Sequence, residues 1–400
     1  MHRRLPLILI CLVASGLSRA ADPAPPVCDE IQAVMQEFVD HHQVSGAVTL
    51  VADRDQVLHL GAVGLSEIET ERRMQMDDLF WIASLTKPFT ATAVMILQDE
   101  GKLSIDDPVA LHLPDFAEMT VGEDRQPANT ILTIRQLLTH TSGVAGVKWP
   151  LGGDTRSLDV QAYELASLPL QFEPGSQWKY GNGLNVAARI VEVVSGIPFD
   201  QFIRYRITEP LDMDDTTFRM SDDQYARFAR NYELNDDKSG LVPAEHKLVT
   251  PDPAAGADVT PSPSGGLFST AGDLSRFYRM FLNGGELDSV RVLSPESVEA
   301  MTTVQTGDLK TGFTPGNGWG LCLCVVRVPQ GVTRMLSPGT FGHGGAYGSQ
   351  GWIDPEQGLI YVLMIQRRDI GNSDASPMRD AFQSAAVAAF GGTPERKDRE

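Results

Sequence analysis

Strand patterns stand at the two ends of this chain and helical patterns in its middle, and that order constrains the fold more than any single motif. Near the N-terminus, Val44–Val51 and Gln56–Leu65 read as two strands joined by the polar turn Asp53-Arg54-Asp55. Strand signals return only at Gly318–Val328, Thr340–His343, Ser349–Ile353 and Gly358–Gln366. From about Asp106 to Phe218 the pattern is helical and loop-rich, with Ile131–Leu138 and Leu184–Val194 its clearest helices. Further helical patterns cover Cys28–His41, Ala271–Asn283 (closed by Gly284-Gly285) and Met378–Phe390. The expected fold is α+β: an antiparallel sheet drawn from both ends, flanked by the N- and C-terminal helices, plus an all-helical lobe.

At 400 residues, 42% of them apolar, the chain can bury the core of one domain or two closely packed lobes. The reading is one domain over 28–390, with a sheet lobe from about 28–82 and 265–390 and a helical lobe over about 84–264. Residues 221–265 are polar and then rich in proline (Pro251, Pro253, Pro261, Pro263), as in an irregular insertion. Residues 391–400 read as a disordered tail. No internal repeat is found.

The first twenty residues read as a secretory leader. His2, Arg3 and Arg4 precede an apolar run from Leu5 to Val13, then Ser18-Arg19-Ala20 has the small-x-small form of a cleavage site. The run is too short to span a bilayer, and no other run is longer. The expected location is therefore periplasmic or extracellular, with no membrane anchor after cleavage. Loss of Arg3, Arg4 and Arg19 would take the formal charge from −19 to −22. Such a chain repels nucleic acid and anionic membranes, so neither is an expected partner. Cys28, Cys322 and Cys324 would remain, an odd number that leaves at least one thiol unpaired. Cys322 and Cys324, two apart in an apolar run, are expected on one strand face. No cysteine and histidine spacing resembles a metal site.

The chemistry-bearing segment is Ser84-Leu-Thr-Lys87. Residues three apart share a helix face, so a base stands beside a weak nucleophile. Roughly one Ser-x-x-Lys is expected by chance in a chain of this size, and there are two. Ser176-Gln-Trp-Lys179 follows Glu-Pro-Gly and reads as loop. The first copy precedes the apolar stripe Phe89, Ala93, Ile96 and Leu97. Pro88 clashes with a helical carbonyl four residues back, which belongs to Ser84. Ser84 is thereby placed at the helix start, where free N–H groups suit an oxyanion.

Two further segments fit the same chemistry. Tyr180-Gly-Asn182 precedes a helix, and a nearby lysine cation would ease loss of the tyrosine proton. Asn182 could donate to a substrate carbonyl. Gly342-His-Gly-Gly-Ala346 has almost no side-chain bulk, so a substrate could lie along it and bond to backbone. His59-Leu-Gly61 matches His-x-Gly as well but lacks the glycine-rich flanks.

These motifs, in this order, resemble the serine β-lactamase-like superfamily of class C β-lactamases, D-stereospecific peptidases and family VIII carboxylesterases. The resemblance rests on Ser84–Lys87, Tyr180–Asn182 and His343–Gly345. It extends to Leu137-Leu-Thr-His-Thr-Ser-Gly143, Phe172-Glu-Pro-Gly175, Ser264-Gly-Gly-Leu-Phe-Ser-Thr270 and Gly351-Trp-Ile-Asp-Pro355. It implies a β-lactamase/transpeptidase-like fold and an acyl-enzyme on Ser84, with Lys87 and Tyr180 handling the proton. It further implies an oxyanion hole from the N–H groups of Ser84 and Ala346, and substrate orientation by Asn182, His343, Gly344 and Gly345. No metal or cofactor is implied. Histidine at 343, where class C β-lactamases carry lysine, turns the expectation toward an ester or D-peptide substrate. A β-lactamase and a non-catalytic binder of cell-wall peptides stand as alternatives. A conventional α/β-hydrolase is set aside, because no Gly-x-Ser-x-Gly elbow occurs. His140 reads as structural, Trp319 and Trp352 as core or groove wall, and Tyr347 as a groove residue.

Overall fold

Alternation along the longest apolar strand shows how the layers are built. In Leu359–Gln366, Ile360, Val362 and Met364 join one core while Leu359, Tyr361, Leu363 and Ile365 join another. A strand that is apolar on both faces must be covered on both. The computed structural model describes residues 25–146, 154–244 and 259–392. The leader reading over 1–20 and residues 393–400 of the tail reading lie outside these, as does 245–258 of the insertion.

Among the described residues the main sheet has eight antiparallel strands. In chain order they are β1 (Gly46–Ala52), β2 (Val57–Glu67), β3 (Arg72–Arg73), β4 (Asn317–Trp319), β5 (Cys324–Val326), β6 (Phe341–Gly344), β7 (Gly348–Asp354) and β8 (Leu359–Gln366). Their spatial order is β4-β5-β6-β7-β8-β1-β2-β3. The pairing of β1 with β8 joins the two ends of the chain, Val48 opposite Met364 and Ala52 opposite Ile360. The fold class is therefore α+β around an antiparallel sheet, as expected.

Helices α1 (Asp29–Asp40) and α7 (Pro377–Phe390) cover one face, with Ile31, Met35, Met378 and Phe382 packed on Trp352, Tyr361 and Leu363. On the other face lies α6 (Ala271–Leu282), whose Phe277, Tyr278 and Phe281 share a core with Leu50 and Val362. That core continues into helices α2 (Lys87–Asp99), α3 (Ile134–Leu138), α4 (Leu158–Ala166) and α5 (Gly183–Ser195). Every residue of α2 from Lys87 to Leu97 is buried, as in a helix enclosed on all sides. No helix among the described residues is long and apolar enough to cross a membrane.

Three local expectations are corrected. Gly318–Val328 is not one strand but the hairpin β4–β5, because Cys322 adopts φ +57 and turns the chain. Cys322 and Cys324 therefore do not share a face: Cys322 lies in the core with the helical lobe, Cys324 in the core under α1 and α7. The helix expected from Ile131 begins at Ile134, because Thr133 and Gln136 form a reciprocal capping box there. All three described cysteines are free.

Candidate active site

The candidate nucleophile sits in a strained turn clamped from one side. Phe80–Trp81 pairs with Phe268–Ser269, and the Ile82 N–H donates to the Leu267 carbonyl at 3.0 Å. Ala83 follows with φ +47, a left-handed conformation uncommon outside glycine. Ala83–Thr86 then forms one turn of 3₁₀ helix, and α2 starts at Lys87. The Lys87 N–H bonds to the Ser84 carbonyl three residues back, so Pro88 meets no regular ladder at that carbonyl. The Thr86 hydroxyl accepts from the Leu267 N–H at 3.1 Å and fixes the turn against the strand.

Lys87 is 3% exposed. Its Nζ lies 3.1 Å from Ser84 Oγ, donates to the Ser264 carbonyl at 2.6 Å, and stands 4.5 Å from the centre of the Tyr180 ring. No carboxylate pairs with it among the described residues. Burial disfavours its cation and draws its pKa from 10.5 down to about 7. Ser264 is held in turn, its hydroxyl donating to Asn185 Oδ1 at 3.4 Å, while Asn185 donates to Gln161 at 2.7 Å.

Tyr180 bridges the serine and the histidine. Its hydroxyl is hydrogen-bonded to Ser84 and lies 3.3 Å from His343 Nε2. His343 Nδ1 lies 2.7 Å from the Gly344 carbonyl, which can only accept, so Nδ1 carries the proton and Nε2 is an acceptor. The Tyr180 hydroxyl therefore donates to His343 and turns a lone pair toward Ser84. Burial pushes the phenol well above its usual range. The expected easing of its ionisation by Lys87 is not found: loss of solvation is the largest influence on the phenol and raises its pKa. Burial, then the Lys87 charge, hold His343 down to about 3, so it is neutral at physiological pH.

The glycine-rich strand loses its β5 partner part-way along. Pairing of β6 with β5 stops at Cys324 opposite Gly342. The preceding turn is diverted, with the Cys322 N–H bonded to the Leu138 carbonyl at 2.9 Å. His343, Gly344 and Gly345 thus run past the end of β5 without ladder partners on that strand, and all three are buried. A Cβ on Gly344 would stand 1.9 Å from Asp374 Oδ1, and one on Gly345 2.8 Å from the Ile82 carbonyl oxygen. The absence of side chains is what lets this strand meet the Ser84 turn. Ala346 is exposed in the turn that follows, which the Gly348 N–H closes onto Gly345 at 3.0 Å. Asn182 stands at the N-cap position of α5, where its side chain makes no capping bond.

Ser84, Lys87, Tyr180 and His343 are therefore linked directly, and Gly344–Ala346 passes beside them. The second Ser-x-x-Lys is loop: Ser176 and Lys179 are exposed. His59 is buried at 0% exposure against Thr49 Oγ1 at 2.9 Å. Tyr347 is 8% exposed and packs edge-on to Trp81 at 4.8 Å. Trp319 and Trp352 are both fully buried.

Two supports hold this arrangement, one that the sequence marks as structural and one that it does not mark. His140, in the Leu137–Gly143 segment, has φ +60 and accepts from Lys179 N–H at 2.9 Å and, at the limit of reach, from Gly181 N–H at 3.5 Å. Its ring lies 4.5 Å from that of Tyr180. Asp374 is buried behind Gly344 beside Gln350, and no motif marks it. Its backbone carbonyl accepts from Arg379 at 2.7 Å, whose guanidinium lies 3.7 Å over Trp352. No cluster of three metal-ligating side chains occurs among the described residues.

The family model described as Beta-lactamase matches residues 31–384. The chain belongs to the β-lactamase family. This family comprises serine hydrolases, among them esterases, peptidases and β-lactamases. Within it, the chain is 38% identical over 368 residues to Protein Rv1367c of Mycobacterium tuberculosis, covering 84% of this chain and 90% of that one. It is 29% identical over 394 residues to Esterase EstB of Burkholderia gladioli, covering 91% and 96%. Among solved structures, EstCE1, described as a hydrolase with promiscuous acyltransferase activity, superposes with a TM-score of 0.77 at 23% identity, over 89% of this chain and 97% of that one. That likeness shows the shared fold.

Proposed function

We propose that this protein is an exported serine hydrolase that cleaves neutral carboxylic esters through an acyl-enzyme on Ser84. The observation that carries this reading is Lys87: a fully enclosed amine 3.1 Å from Ser84 Oγ, with its pKa drawn to about 7. A buried lysine poised near neutrality is suited to general-base work.

In this reading neutral Lys87 takes the Ser84 proton as Oγ bonds to the substrate carbonyl carbon. The oxyanion is received by the N–H groups of Ser84 and Ala346. The carbonyl–oxygen bond to the alcohol breaks, and the proton held by Lys87 returns to the departing oxygen beside the Tyr180 hydroxyl. Water then repeats the sequence on the acyl-enzyme. Tyr180 acts as a neutral phenol, because its proton is committed to His343 and its pKa is raised. Asn182 and the His343–Gly345 segment beyond the end of β5 orient the substrate.

Neutral His343 favours an uncharged substrate over a β-lactam: a β-lactam brings a carboxylate, and a histidine held to about 3 supplies no cation to receive it. An intact Ser84–Lys87–Tyr180 arrangement is equally surplus to a pure binder. Export rests on the leader reading of residues 1–20.

The test compares turnover of a short p-nitrophenyl ester, a chromogenic cephalosporin and a D-alanyl p-nitroanilide, each with the wild type and with Ser84→Ala. We expect ester turnover to exceed the other two and to vanish in the variant. Faster cleavage of the cephalosporin or the anilide would overturn the ester assignment. Inertness on all three, with no fluorophosphonate labelling, would favour the binder.

A further inference from the structure

The loop between the helix Pro295–Thr302 and β4 carries an aromatic side chain with no part in the acyl-transfer steps. Phe313 is 46% exposed, yet it is held in place. Asn372 Nδ2 donates to its carbonyl at 2.6 Å. On its C-terminal side, Asn317 donates to Thr314 Oγ1 at 2.5 Å. Its ring stands edge-on to Tyr180 with centroids 5.2 Å apart, and edge-on to Trp178 at 5.8 Å. Leaving a large apolar ring in water forgoes the gain of burying it. An aromatic fixed in that state at the rim of a site is poised to be covered by what binds there.

The chemistry of the site says which part of a substrate that is. The departing oxygen collects its proton from Lys87, whose Nζ lies against the Tyr180 ring. Whatever hangs from that oxygen leaves past Tyr180, and Phe313 packs on Tyr180. We propose that Phe313 and Trp178 form an apolar lip that receives the alcohol portion of the ester, selecting aryl and long-alkyl alcohols over small ones. The lip rests on the ester-hydrolase reading of the same site.

The test uses ethyl, hexyl and benzyl acetates, which share one acetyl-enzyme and differ only in the leaving alcohol. For Phe313→Ala we expect kcat/KM to fall about tenfold with benzyl and hexyl acetate and less than about twofold with ethyl acetate. Hydrolysis of the common acetyl-enzyme should not change. Phe313→Leu should keep most of the hexyl rate and lose part of the benzyl rate. An equal fall on all three esters, the mark of a displaced Tyr180, would overturn the proposal. So would an unchanged benzyl-to-ethyl ratio. If the wild type takes an acetyl group from none of the three, the ester reading itself fails and the lip with it. An acetyl adduct with no change in preference sinks the lip alone.

Discussion

The titration of Lys87 sets the sharpest quantitative expectation. If the neutral amine accepts the Ser84 proton, acylation follows the unprotonated fraction of Lys87. With a pKa of about 7, that fraction is roughly a tenth at pH 6, half at pH 7 and nine tenths at pH 8. The kcat/KM for a neutral ester should therefore rise about tenfold from pH 6 to pH 8 and then level, because this parameter reports the free enzyme. Neither neighbour should add an inflection there. His343 is held to about 3, and the Tyr180 phenol is pushed above its usual range. The assay is an initial-rate series at low ester concentration over pH 5–10, read in a pH-stat so that product ionisation does not enter. Lys87→Ala should lower the rate by orders of magnitude and remove the inflection. A flat profile would show that Lys87 is not the base. A profile that climbs through pH 9 would assign the role to a tyrosinate, against a Tyr180 hydroxyl that donates its proton to His343.

The same burial should cost stability with a definite sign. Folded Lys87 loses its proton near 7 and the unfolded side chain near 10.5, so the unfolded state binds more protons between these values. Stability from this group thus rises with pH across that window, and the full cost, up to about 5 kcal/mol, is present below pH 7. Lys87→Met should raise Tm by a few degrees at pH 6 and by less at pH 10; the reverse order would contradict the linkage. His140→Ala keeps the backbone carbonyl that accepts from Lys179 N–H but removes the ring that packs on Tyr180 and accepts from Gly181 N–H, and should lower kcat about 10- to 100-fold with little change in KM. His140→Asn, which keeps an acceptor and tolerates positive φ, should recover part of the loss. Gly344→Ala drives a methyl into Asp374 and should destabilise by about 1–3 kcal/mol in denaturant titration; an unchanged midpoint would mean that Asp374 moves aside freely.

What could be read from the residues, and what could not, divides along local and non-local lines. The sheet was legible because period-two apolar runs at both chain ends require a shared partner. The Ser84 turn was legible because Pro88 forbids a regular helix at that carbonyl. Hairpin β4–β5 was not, because its turn is made by Cys322 at positive φ, and nothing in Trp319–Val326 other than the fold requires a turn there. The protonation state of Tyr180 was misjudged because a nearby amine was visible in the motif while the loss of solvation around the phenol was not. Asp374 and Phe313 lie far along the chain from Gly344 and Tyr180, in loops without periodicity. Only the folded chain brings them there. His140 had a signal, its place in the Leu137–Gly143 segment, but its contact with Tyr180 crosses from one loop to another.

The central claim is a covalent acyl-enzyme at Ser84, and intact-mass measurement tests it most directly. Wild type and Ser84→Ala would be mixed with excess p-nitrophenyl ester, quenched in acid within the first turnover, weighed, and digested to locate the adduct. The account predicts one acyl group per wild-type chain, on the peptide that contains Ser84, and none on the variant. Ester turnover with no adduct, or an adduct and full rate retained in Ser84→Ala, would contradict it.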